Sequence, residues 1–213
     1  MLTLENDAQL AAAVAELAAI ESKFKAVVIR HGQPPLRHSD AGLKGLLRIV
    51  TDQLISLKAG EAIWRRLEAE LSPFDPAALS QFPQENLMAL GLSGAKARAF
   101  KAISLAVHEG KLQFARLDAV PDHDVLKALQ AIKGIGPWTA DIYLLSAMGR
   151  ADAWPTGDLA LQVAAQHLFG LPERPKPHDM MALAQSWRPW RAAAARLLWS
   201  HYRGLRGMPQ TIA

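Results

Sequence analysis

Residues 126–161 read LKALQAIKGIGPWTADIYLLSAMGRADAWPTGDLAL. Leu126, Leu129 and Ile132 recur at helical spacing until Gly134-Ile135-Gly136 interrupts them. Pro137 then stands where a new helix would begin, because a helix's first turn makes no internal use of its N–H. A second apolar-periodic run extends from Trp138 to Met148. Two helices joined by a glycine hairpin leave the free N–H groups of the second helix at the tip, where they can hold a phosphate. Asp158 lies 20 residues beyond Trp138, directly after Pro155, Thr156 and Gly157. A phosphate clamp followed by a lone carboxylate at the head of a helix points to chemistry on DNA.

The rest of the chain is consistent with that direction. Half of its 213 residues are hydrophobic, enough for a folded core. The net charge of +4 suits an anionic partner, although many slightly basic soluble enzymes carry as much. The absence of cysteine excludes disulfides, thiolate catalysis, cysteine-ligated zinc and a cysteine-ligated iron–sulfur cluster. Seven scattered histidines form no metal-ligand pair of the HExxH kind. The Ala-rich run Ala8–Ile20 is interrupted by Glu16 and preceded by no basic region, so no signal peptide is expected. No apolar stretch reaches the roughly 18 residues that a membrane span requires. A cytoplasmic location follows, on the nucleoid when the protein is bound to DNA.

Periodicity predicts helices near 6–30, 42–56, 58–71, 75–81, 84–90, 95–109, 122–132, 137–148, 158–169, 178–187 and 189–203, and no strand. The breaks are short and carry Gly or Pro, as in Gly32-Gln33-Pro34-Pro35 and Gly91-Leu92-Ser93-Gly94. The longest connection, His31 to Ala41, marks the expected lobe boundary.

Five motifs in order along the chain are QLIS (53–56), GLSGAK (91–96), KGIGPWTA (133–140), WPTGDLAL (154–161) and PWRAAAARLLW (189–199). Together they resemble the helix-hairpin-helix (HhH-GPD) superfamily of DNA glycosylases, and within it the DNA-3-methyladenine glycosylase II branch. GIG alone is common; GIGPWTA followed by PTGD, with QLIS upstream, is specific. The resemblance implies an all-α fold of two helical lobes with a central cleft, the whole of 1–213 forming one glycosylase unit. Residues of about 42–150 would form a helical barrel with the hairpin at 126–148, while 1–41 and 151–213 would form the second lobe. The hairpin and Asp158 would lie at the mouth of the cleft.

Taken alone, an Asp ahead of an apolar-periodic helix is an N-cap. The resemblance adds catalysis, and the two roles are compatible. A helix N-terminus favours an anion, and breaking an N-glycosidic bond develops positive charge on the deoxyribose that a fixed anion stabilises. Asp158 is therefore the expected catalytic residue, with Glu61, Glu68 and Glu70 spaced as a solvated face. Bifunctional relatives carry a nucleophilic lysine at the position of Trp138. An aromatic there implies the monofunctional branch, which uses water and leaves an abasic site. Trp138 and Trp199 match pocket positions where a flipped cationic base would stack, with Gln53 lining the site. Trp64, Trp154, Trp187 and Trp190 read as core residues. Ile142 and Leu159 depart from the family pattern, which has an aromatic at Ile142, and this bears on substrate breadth.

By the same resemblance Leu54 is the apolar wedge that fills the gap left by a flipped base, although a core leucine would give the same pattern. Gly134, Gly136 and Thr139 would contact a phosphate, and Lys96 a further one. The main-chain carbonyls of Gln130, Ile132 and Ile135 correspond to a family site for a monovalent cation, Na+ or K+. No cofactor is expected for the chemistry. The expected partner is double-stranded DNA containing alkylated bases, met by a monomer, and the expected activity is release of 3-methyladenine and 7-methylguanine in base-excision repair. A same-fold glycosylase for another damaged or mismatched base, and a non-enzymatic hairpin DNA-binding module, remain open.

Overall fold

A computed structural model describes residues 1–208 of the chain. Every regular element among them is helical, apart from one isolated antiparallel bridge between Thr3 and Arg150. In chain order the helices are α1 (Asp7–Ile20), α2 (Ser22–His31), α3 (Leu43–Asp52), α4 (Leu57–Leu71), α5 (Pro76–Gln81), α6 (Gln84–Ala89), α7 (Gly94–His108), α8 (Phe114–Leu117), α9 (Asp122–Gln130), α10 (Pro137–Ile142), α11 (Leu159–Phe169), α12 (Pro177–Leu183) and α13 (Arg191–Leu205). A π-helical segment, Tyr143–Ala147, continues α10, and a 3-10 turn, Ala184–Trp187, follows α12. None of these helices is long and apolar enough to cross a membrane.

Several boundaries differ from the periodic reading for identifiable reasons. The run 6–30 is two helices, because Glu21 is extended (φ −133°, ψ 103°) and its carboxylate caps α2 by accepting from Lys23 N–H at 3.0 Å. The helix expected over 42–56 stops at Asp52, and Gln53–Ser56 form a turn. The last helix begins at Arg191, because its N-cap Trp190 lies outside helical geometry (φ −104°, ψ 27°). The four-residue α8 carries too little periodicity to be read from sequence.

The chain divides into two compact units, Met1–His38 with Gly149–Ala213, and Ser39–Met148. In the unit formed by the two chain ends, α13 packs on α1, α2 and α11. Ala192, Ala193, Ala194 and Ala195 are all buried on α13, and their methyl groups let neighbouring helices approach closely. Phe24, Trp154 and Trp187 form an edge-to-face cluster, with ring centroids 5.0 Å (Phe24–Trp187) and 5.4 Å (Trp154–Trp187) apart. The Trp154 indole N–H donates to Met180 O at 3.1 Å, so its polar end is satisfied in the core. Trp190 is not a core residue; it is only half-buried and donates to Glu16 Oε2 at 2.6 Å. Arg196 is buried, and its Nε donates to the Leu36 carbonyl at 2.8 Å. That burial pulls its guanidinium down to about 10. Leu4 N–H donates to Gly149 O at 2.7 Å and Ala151 N–H to Leu2 O at 3.1 Å, pinning the start of the chain beside the segment that leads to Asp158.

In the contiguous unit, α7 packs against α3, α5 and α6 through Ala97, Ala99, Phe100 and Ile103. Helix α3 answers with Leu46, Leu47, Ile49 and Val50. Each large apolar side chain so buried contributes about 1.5–3 kcal/mol. Trp64 stacks on Phe74 at 5.2 Å, with the Arg48 guanidinium 5.5 Å from its ring. Buried Tyr143 accepts from Gly42 N–H at 2.9 Å, and burial pushes its phenol up to about 12.

Candidate active site and nucleic-acid interface

The expected site residues are distributed over both units. Asp158 and Trp199 belong to the unit of the chain ends; Gln53, Leu54, Lys96, Gln130, Ile132, Gly134, Ile135, Gly136, Trp138 and Thr139 belong to Ser39–Met148.

Asp158 terminates a tight turn in which its N–H donates to Pro155 O at 3.0 Å and Thr156 N–H to Trp154 O at 3.0 Å. Gln162, buried on the first turn of α11, braces that turn by donating to Thr156 O at 3.1 Å. Asp158 is the N-cap of α11, and its Oδ1 accepts from Leu161 N–H at 2.9 Å. The same oxygen accepts from the Trp199 indole N–H at 3.2 Å. Two donors on one oxygen fix the carboxylate's rotamer, at a helix end whose dipole favours negative charge. The residue is only 8% exposed, so its anion lies where water screens it weakly. Trp199, expected as a stacking surface, therefore also orients the carboxylate.

Upstream of this turn, Asp152 accepts from Arg191 Nε at 2.6 Å and Nη2 at 3.0 Å, and from Arg188 Nη1 at 2.7 Å. This joins the start of α13 to the segment before Asp158. Nothing in the local sequence pairs Asp152 with residues nearly 40 positions on, and sequence reasoning did not find it.

The hairpin is shaped by its glycines for two different reasons. Gly134 has φ of 100°, and a Cβ on it would come 2.6 Å from that of Ala99 on α7, so the fold itself requires glycine. Gly136 is exposed with φ of −91°, and a Cβ there would meet nothing within 4 Å. The protein makes no demand for glycine at Gly136; a ligand approaching the backbone would. Trp138, half-buried, is the second residue of α10. Thr139 is 2% exposed, and its hydroxyl accepts from Gln53 Nε2 at 2.6 Å. That bond engages the hydroxyl oxygen as an acceptor, and the buried side chain turns toward Gln53. Gln53, half-buried, is held by the same bond.

Leu54 is 104% exposed and has φ of 55°. A leucine in the left-handed region costs about 1–2 kcal/mol, and one wholly in water gains nothing from packing. It is no core leucine. Lys96 also differs from expectation. Its ammonium donates to Thr51 O at 2.8 Å and Gln53 O at 2.7 Å, serving the end of α3 and not an outside phosphate. Burial lowers its pKa, while the charge of Asp52 raises it. Glu61 and Glu68 are paired with Arg48 and Lys44 respectively, and Glu70 is exposed.

Among the described residues no group of three or more His, Asp or Glu is placed to hold a metal ion. Main-chain oxygens are a different donor set. Helix α9 ends at Gln130, which frees carbonyls of its last turn, and the Ile132 carbonyl accepts from Ile135 N–H at 3.1 Å. Main-chain carbonyls such as those of Gln130 and Ile132 are hard oxygen donors, of the type a hard cation takes.

Comparison with known proteins matches the family model described as "HhH-GPD superfamily base excision DNA repair protein" over residues 47–189. The Schizosaccharomyces pombe "Alkylbase DNA glycosidase-like protein mag2" is 25% identical over 203 residues, covering 92% of this chain and 95% of that protein. The Bacillus subtilis protein YfjP, assigned by name to the DNA-3-methyladenine glycosylases, is 32% identical over 124 residues, and the match spans 58% of this chain and 43% of that relative. Among solved structures, the S. pombe 3-methyladenine DNA glycosylase Mag1 in complex with abasic DNA superposes with a TM-score of 0.81 at 24% identity, covering 94% of this chain and 99% of that one. The family match takes in well over half of the chain, including the turn at Leu54, the hairpin and Asp158. The chain belongs to the HhH-GPD superfamily of base excision DNA repair proteins.

Proposed function

We propose that this protein is a monofunctional DNA glycosylase that hydrolyses the N-glycosidic bond of alkylated purines, 3-methyladenine foremost and 7-methylguanine with it. The observation that carries the reading is the buried carboxylate of Asp158, held on Oδ1 by Leu161 N–H and the Trp199 indole. As the bond between deoxyribose and base lengthens, its electron pair leaves with the base and positive charge develops on the sugar. A fixed anion stabilises that charge with no reorganisation at the moment of reaction. Water then adds at the sugar carbon and loses a proton, giving an intact abasic strand. An alkylated purine that is already cationic departs neutral, so it needs no proton first. Relatives named DNA-3-methyladenine glycosylases and alkylbase glycosidase support this substrate class.

The aromatic at Trp138 stands where a bifunctional enzyme would need an amine to attack the sugar. Lys133 is exposed in the turn before the hairpin tip. The exposed backbone at Gly136 would meet phosphate, with a Na+ or K+ on the carbonyls of Gln130, Ile132 and Ile135 offsetting phosphate charge, and Leu54 would fill the space of the flipped nucleotide. The test is a duplex with one alkylated base, incubated with enzyme and then with alkali. Strand scission only after alkali, with no enzyme–DNA adduct trapped by borohydride, is expected. An adduct would overturn the monofunctional assignment, and no alkali-labile product would overturn the enzyme.

A further inference from the structure

Helix α3 stops at Asp52, and the last carbonyls of a helix have no donor four residues on. Two acceptors at this end, Thr51 O and Gln53 O, take hydrogen bonds from one ammonium, that of Lys96. The Gln53 carbonyl belongs to the peptide plane that also carries the Leu54 N–H. Fixing the direction of that carbonyl fixes the plane about which φ of Leu54 turns. Leu54 is held there at φ 55°, a region that side chains with a Cβ rarely adopt, and its own side chain touches too little to hold it. The Gln53 side chain is anchored as well, through Thr139. Beyond the turn, Ser56 begins α4 by accepting from Ala59 N–H at 3.2 Å. The strained residue thus lies between three fixed points, and Lys96 is the one that comes from outside the turn and the hairpin. Asp52, gripped by Arg48 Nε at 2.8 Å, supplies negative charge beside the ammonium.

We propose that Lys96 is a positioning residue for Leu54, its ammonium locking the Thr51 and Gln53 carbonyls so that the leucine stands preformed in solvent as a wedge for duplex DNA. The inference rests on the glycosylase reading only for what Leu54 meets. A wedge already in its bound conformation loses no ordering entropy when it enters the stack, whereas a relaxed turn would have to find that conformation on each encounter.

The experiment compares wild type, Lys96→Met, Lys96→Arg, Leu54→Ala and the double variant Lys96→Met/Leu54→Ala. Two readouts are used: single-turnover excision of an alkylated base from duplex and from single strand, and fluorescence of 2-aminopurine beside an abasic-site analogue in a duplex. Lys96→Met should slow duplex excision about tenfold, as expected for loss of two charge-assisted hydrogen bonds, and single-strand excision less than about twofold. It should lose most of the fluorescence rise that reports unstacking, and Lys96→Arg should recover both signals. In the Leu54→Ala background the Lys96→Met change should add almost nothing, because coupled residues are not additive. Full additivity, or equal losses on duplex and single strand, would overturn the positioning role. So would an unchanged fluorescence signal in Lys96→Met. The fluorescence arm needs no turnover, so a wild type that unstacks DNA without excising would sink the proposed activity and still test Lys96. Should Lys96→Met fail to fold, Lys96→Gln carries the same comparison with a shorter donor.

Discussion

Asp158 caps α11, and the anion proposed to drive excision belongs to the same side chain, so substitution can separate the two. Asn caps a helix about as well as Asp. Asp158→Asn should therefore unfold within a few degrees of wild type, while single-turnover excision falls about 10²-fold or more through loss of the anion. Near-normal excision would refute the mechanism. Trp199→Phe keeps an aromatic side chain and removes the indole donor to Asp158 Oδ1. It should slow excision about tenfold with duplex affinity unchanged, a smaller loss because orientation and not charge is removed. Gly136→Val tests the hairpin where the protein leaves room, since nothing of it lies within 4 Å of an added Cβ. Gly134 cannot serve, because Ala99 blocks it. Gly136→Val should weaken binding to undamaged duplex at every sequence alike, measured by titration at fixed salt; equal affinity would remove the hairpin from the interface. Asp158 as the cap of α11, and the glycine break between α9 and α10, were legible because each carries a residue-type signature at a helix end. Lys96 was legible as a position and misread as a contact, because which acceptors an ammonium reaches depends on tertiary neighbours 43 residues away; the Gln53 amide that donates to Thr139, 86 residues off in sequence, was out of reach for the same reason.

Among the elements, α13 shows best how sequence becomes packing. Its four consecutive alanines look like plain helix propensity, yet all four are buried, which a single amphipathic face could not achieve. Contact on several sides by α1, α2 and α11 explains the composition. Ala194→Leu should overpack this helix and destabilise the protein by about 1–3 kcal/mol, read as a lower urea midpoint with the slope unchanged. A neutral effect would mean that the helices can part at little cost. Periodicity found nearly every helix, because apolar stripes are local. It missed the break at Glu21, where neither Gly nor Pro announces the cap, and the π-helical segment after Ile142, marked by Met148 N–H donating to Tyr143 O at 3.1 Å. It also ran α3 on through Leu54, since nothing local signals a leucine with positive φ.

On the scale of the whole molecule, stability should depend on pH through a histidine cluster in the unit of the chain ends. His201 is 5% exposed, with Nε2 3.0 Å from His167 Nδ1. Burial foremost, then His167, His31 and Arg30, pull its pKa from 6.5 down to about 4. Burial also lowers His31, with Arg30 and Arg203 in the same sense. The unfolded chain therefore takes up these protons first, so stability is complete above pH 6.5 and declines as pH falls toward 4, by about 1–3 kcal/mol from His201. Urea midpoints between pH 7 and 4.5 should fall, and His201→Gln should flatten that fall; identical slopes would exclude the cluster as the cause. One feature of the division into units bears on how the molecule comes into being. Synthesis delivers residues 39–148 as an uninterrupted run, so the hairpin and the turn at Leu54 can fold while the chain is still growing. The opening helices cannot do likewise, for Leu10, Leu17, Phe24 and Val27 must await a core completed by α11 and α13. On a nascent chain the contiguous unit can thus settle early, while the paired chain ends wait for α13, the last helix to be made.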